Sequence, residues 1–94
     1  MRFGRVLQSL MRKLLRGYYL YFHNDMLNSD GRRLFEEILK MLMYEHPEYR
    51  RLVYRVRRNP DLDNVIRVAR LFLDEDEIHE LLDTSINGFY IYKK

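Results

Sequence analysis

The sequence predicts a mainly α-helical single domain over residues 1–94, a compact bundle of four or five short helices with a small C-terminal β-hairpin. Three observations carry this. Apolar residues recur at helical spacing along most of the chain. Two phrases, "HPEY" at 46–49 and "NPDL" at 59–62, each place proline and then an acid where helices begin. Near the end, Asn87-Gly88 precedes the alternating Phe89-Tyr90-Ile91-Tyr92, a hairpin signal. A chain of 94 residues, 47% hydrophobic and 33% charged, folds around one core and is too short for two.

Taken in order, residues 3 to 22 sort on a helical wheel into two faces. Phe3, Val6, Leu7, Leu10, Met11, Leu14, Leu15, Tyr18, Tyr21 and Phe22 fill one half, while Arg2, Arg5, Arg12, Lys13 and Arg16 gather on the other. This predicts one long helix. Gly17 costs about 1 kcal/mol in a helix and leaves the alternative of an early stop, with Tyr18–Phe22 as a short strand. "NDMLNSDG" reads as a loop. A second helix follows from Asp30 to Glu45, with Leu34, Ile38, Met41 and Leu42 facing inward.

Pro47 and Pro60, read as first helical positions, divide the next stretch into helices at 47–58 and 60–73. Asp74 and Glu77 stand at capping-box spacing and start a last short helix at 74–83. The hairpin at 86–92 has arms too short to stand alone and must lie on the helices or on a partner; the alternative is an ordered tail without strand pairing. The expected core includes Leu7, Leu10, Leu14, Ile38, Leu42, Val56, Val65, Ala69 and Phe72.

Charge is distributed unevenly. The net charge is +3, yet residues 1–58 hold 13 basic and six acidic side chains, and residues 59–83 hold two basic and eight acidic ones. Arginine outnumbers lysine 13 to four, a skew that a hot or GC-rich origin explains as readily as function. The densest basic stretch is "YRRLVYRVRR" at 49–58, with five arginines, two tyrosines and no acid. As a strand it leaves Val53 out of phase. As a helix it aligns Tyr49, Leu52, Val53 and Val56 in one stripe, and the flanking prolines favour that reading.

The opposite side of that helix then carries Arg50, Arg57, Tyr54, Arg58, Arg51 and Arg55 in angular order. Guanidinium groups fork onto phosphate, and an exposed tyrosine stacks on a base. With Arg5, Arg12 and Arg16 from the first basic segment, these residues form the expected nucleic-acid-binding surface. It would grip DNA or RNA with little regard for sequence. A bland reading stands beside it: a solvated helix face whose arginines pair with the acidic 59–83 region of the same chain. The alternative function is a protein–protein interaction module, an adaptor or inhibitor of viral or mobile-element origin, binding an acidic partner or itself. The C-terminal aromatic strand would offer an edge for a homodimer.

Other classes are excluded or disfavoured. Without cysteine there are no disulfides, thiolate nucleophiles or cysteine-based zinc sites. No nucleophile motif or glycine-rich phosphate loop is present, so neither an enzyme nor a cofactor is expected. Glu75, His79 and Asp83 share one helical face, but a single face seldom closes a coordination shell, and no metal is expected. No apolar run is long enough to span a membrane. The basic N-terminus also has the character of a presequence or a membrane-surface helix; with one serine among its first 17 residues it is expected to be retained. An intracellular, cytoplasmic setting fits the chain.

Overall fold

Gly17 divides the first predicted helix. The structure, a computed structural model, describes residues 4–93, and side chains for residues 4–85. Helix α1 (Arg5–Arg16) ends at Gly17, and a four-residue helix, α2 (Tyr18–Tyr21), follows. Gly17 is buried, and a Cβ there would lie 2.7 Å from the Tyr21 ring. The expected single helix over residues 3–22 is therefore replaced by two helices and the start of a strand.

That strand is β1 (Phe22–His23), paired antiparallel with β2 (Met26–Leu27) so that Phe22 faces Leu27. Asn24 and Asp25 between them have φ of 53° and 61°. Two left-handed residues in a two-residue loop make a turn whose twist matches that of its strands, and Asn and Asp are the non-glycine residues that best tolerate it. The Tyr18 hydroxyl donates to Asp25 Oδ1, and its ring stacks on Phe22 with centroids 5.0 Å apart. The hairpin thus lies in the predicted loop, far from the C-terminal end.

Helix α3 (Ser29–Glu45) starts at Asn28, whose Oδ1 accepts from the Gly31 N–H at 2.8 Å and whose Nδ2 donates to the Leu20 carbonyl at 2.8 Å. Gly31 passes so close to α2 that a Cβ would collide with the Tyr21 carbonyl oxygen. The helix then runs through the centre, burying Leu34, Phe35, Ile38, Leu39 and Leu42 against α1, α2 and α4. A 3-10 turn at Pro47–Tyr49 leads into α4 (Arg50–Arg58), with proline opening the segment as its sequence predicts.

Pro60 behaves differently. It is buried ahead of α5 (Leu62–Ala69), and its carbonyl accepts from the Leu27 N–H at 3.0 Å while Asp61 bridges Met26. Asp61 caps α5 by accepting from the Asn64 N–H at 2.9 Å. The helix expected at 60–73 is shortened at both ends, because the hairpin claims its first residues and the chain turns after Ala69, whose carbonyl accepts from the Phe72 and Leu73 N–H groups.

The last helix, α6 (Glu75–Lys93), is the larger correction. It continues through the residues expected to form the C-terminal hairpin. Asp74 Oδ1 accepts from the Glu77 N–H at 2.9 Å and its carbonyl from Ile78 at 3.1 Å, so nucleation is already complete. Each added residue then gains a hydrogen bond, and Gly88 opposes this by only about 1 kcal/mol. An isolated short hairpin has no comparable support.

Of the expected core, Leu7, Leu14, Ile38, Leu42, Val56, Val65, Ala69 and Phe72 are buried, and Leu10 is half-buried. Val6 is 57% exposed, so the apolar arc of α1 is narrower than its wheel indicates. The molecule measures 46 × 28 × 17 Å, with a radius of gyration of 13.1 Å. Among the described residues no helix is long and apolar enough to cross a membrane.

Candidate nucleic-acid interface

The two sides of α4 have opposite fates. Val53 and Val56 are fully buried, with Tyr49 and Leu52 packed at the margin of the core. Burying two valines fixes the rotation of the helix and leaves Arg50, Arg51, Tyr54, Arg55 and Arg58 exposed. Arg51, Tyr54, Arg55, Arg58 and Asn59 line one shallow depression of about 370 Å³, open to solvent. Tyr54 is 54% exposed within it, so a ring face is free to stack.

Arg57 belongs to the same helix but not to the free set. Its Nε and Nη2 donate to Glu36 of α3 at 3.1 and 2.6 Å, a two-pronged pair at the α3–α4 seam. Arg12 is engaged in the same way by Glu77 of α6, with Nε at 2.5 Å and Nη2 at 3.3 Å. The hydrogen bond to Glu77 raises the Arg12 pKa above its usual value despite partial desolvation. Arg5 and Arg16 are exposed on α1.

The nine predicted residues therefore fall into separate groups. Lys13 of α1 shares a depression with Asp30, Arg33, Leu34 and Glu37, on one flank of α3. Arg57 and Arg58 share another with Arg32, Phe35, Glu36 and Leu39, on the other flank. Helix α3 stands between the two basic segments.

Among the described residues, the acids of 59–83 that form ion pairs, Glu75 and Glu77, do so away from α4. Glu77 holds Arg12, and Glu75 accepts from Arg70 at 3.0 and 3.2 Å with His79 at 3.2 Å. The bonds from Arg70 and, less strongly, from His79 keep the Glu75 carboxyl below its ordinary range. Among the described residues, Arg50, Arg51, Arg55 and Arg58 have no ion-pair partner. Nor is there, among them, a group of three side chains able to hold a metal; Glu75 and His79 pair with one another and Asp83 is exposed.

One basic residue beside this surface escaped the sequence reading. Arg32 is exposed on α3 and lines the seam with Arg57 and Arg58. Its place at the edge of the α3 apolar arc is visible in the sequence, but the helix that packs there is not. No protein-family model, curated protein or solved structure matches this chain.

Proposed function

We propose that the protein binds nucleic acid without strong sequence preference, in a non-catalytic role, through the exposed face of α4. The observation that carries this reading is the position of the acids. The chain has enough of them nearby in sequence to neutralise α4, yet the described pairs engage Arg12, Arg57 and Arg70 and leave Arg50, Arg51, Arg55 and Arg58 bare, the last three around Tyr54. Bare guanidinium groups around an aromatic ring match the needs of a phosphate chain with bases beside it. They do not read base edges from within a groove, so affinity rests mainly on phosphate contacts.

A salt titration of fluorescence polarisation with labelled oligonucleotides tests this. Four phosphate contacts give a log–log slope of roughly −2.8 on single strands and −3.6 on duplex. Affinity weaker than about 100 μM at about 50 mM salt for both forms would sink the proposal.

A second reading, a protein-interaction or self-associating module, draws on exposed apolar side chains. Tyr19 and Leu20 of α2 are 55% and 57% exposed, and Leu20 lines the depression that holds Lys13 and Arg33. Pairing through a C-terminal strand edge has no support, since those residues are helical. Light scattering decides: a dimer at micromolar concentration that Leu20→Ser dissociates supports this reading, and a salt-independent monomer removes it.

A further inference from the structure

The depression on α4 does not end at Arg58. That residue also lines a recess of about 200 Å³ between α3 and α4, whose basic rim includes Arg32 and Arg57. Beneath the rim lie Phe35 and Leu39, 2% and 1% exposed, and buried Pro60. Arg32 in turn lines a third recess beside the hairpin, with His23, Met26, Asn28 and Ser29. Shared walls join the three into one track running from Tyr54 past Arg58 and Arg32 to β1. Glu36 is the one acid among the residues lining it, and that carboxylate is already forked onto Arg57. The other flank of α3 and the far side of the hairpin differ, lined by Asp30 and Glu37 and by Asp25, Asp61 and Asp63.

We infer that the ligand is a single strand that follows this track, with Arg32 as a phosphate contact beyond α4 and Glu36 as a brake on affinity. This rests on the nucleic-acid reading of α4 and narrows it. A duplex is stiff over such lengths and keeps its base faces stacked inside. A single strand bends at each nucleotide and presents base faces to aromatic and apolar surfaces. The recess offers a strand its exposed basic rim, so phosphates meet Arg32 and Arg58, while Phe35 and Leu39 beneath are covered and only shape the wall. Glu36 acts against the strand twice: it occupies the fork of Arg57, and its own charge repels a passing phosphate.

The test uses the full chain with labelled oligothymidine and a matched duplex. Arg32→Ala and Glu36→Gln change side chains at the surface, and circular dichroism verifies that each variant folds. On the single strand, Arg32→Ala should flatten the log–log salt slope by about 0.7, and Glu36→Gln should steepen it by up to about 0.7 by releasing Arg57. On duplex both changes should leave the slope unaltered. If Arg51→Ala flattens the slope while neither Arg32→Ala nor Glu36→Gln moves it, the site stops at α4; the track is then wrong and the nucleic-acid reading survives. If the unmodified protein binds neither oligonucleotide below about 100 μM at about 50 mM salt, both fall together.

Discussion

Helices α1 and α4 are alike in sequence and unlike in what they leave free. Each is basic and acid-free, with a narrow apolar stripe turned to the core. On α1 the central arginine meets the acidic first turn of α6 and is held there, Arg12 against Glu77. On α4 a single acid, Glu36, reaches the seam and takes Arg57, and four further arginines remain at the surface among the described residues. Local charge density is the same kind of signal in both segments. Whether that charge is spent inside the molecule depends on the neighbour each helix acquires.

The strongest way to break this comparison is to open the core that fixes α1 and α3 against one another. Ile38 of α3 and Leu14 of α1 are fully buried. Truncating either to alanine should cost roughly 2–5 kcal/mol in chemical denaturation. A loss under about 0.5 kcal/mol at both sites would mean that these faces are not the core.

Smaller effects sharpen the comparison. Tyr54→Ala should weaken single-strand binding by roughly 1–3 kcal/mol with little change on duplex, because only a splayed base can use the ring. Equal losses on both forms would assign Tyr54 a packing role instead. Arg51→Ala or Arg55→Ala should each reduce the single-strand salt slope by about 0.7, whereas Arg12→Ala should leave it unchanged. A flatter slope for the Arg12 variant would show that α1 shares the ligand after all.

The ion pair that engages α1 contributes modestly. Its partners are about a third exposed, and Glu77→Gln should lower stability by about 1 kcal/mol or less in thermal unfolding. The smallest effect concerns pH. Glu75 titrates below the usual carboxylate range because Arg70, and then His79, bond to its ionised form. A depressed value in the folded state means that the stabilisation is complete above the unfolded glutamate pKa, about 4.3, and fades as pH falls below it. Melting curves should show a slight acid sensitivity in that range, and Glu75→Gln should remove it.

Much of this arrangement is legible in the sequence where local chemistry decides. Proline at 47, the asparagine and aspartates that start helices, and the valine stripe of α4 act over a few residues. The alternation of apolar and polar positions placed α3 within one residue of its observed start and identified eight of nine expected core residues as buried. Charge density likewise marked α4 as the most basic face.

Reading failed where two local preferences competed and distant parts of the chain chose between them. Asn24-Asp25 and Asn87-Gly88 are both turn-forming pairs. The first became a hairpin because Pro60 and Asp61 complete its hydrogen bonding and Tyr18 fixes its loop. The second was absorbed into α6, whose cap at Asp74 had already nucleated a helix.

The same division holds for the candidate site. By itself the sequence determined where α3 and α6 begin, most of the residues the helices bury and which segments are basic, because caps, periodicity and composition are properties of neighbours in the chain. Only the tertiary structure decided which arginines are free and that Arg32 stands beside Arg58. An ion pair needs two charges within a few ångströms, and separations of 65 residues for Arg12–Glu77 and 21 for Arg57–Glu36 leave no trace in either partner's local sequence.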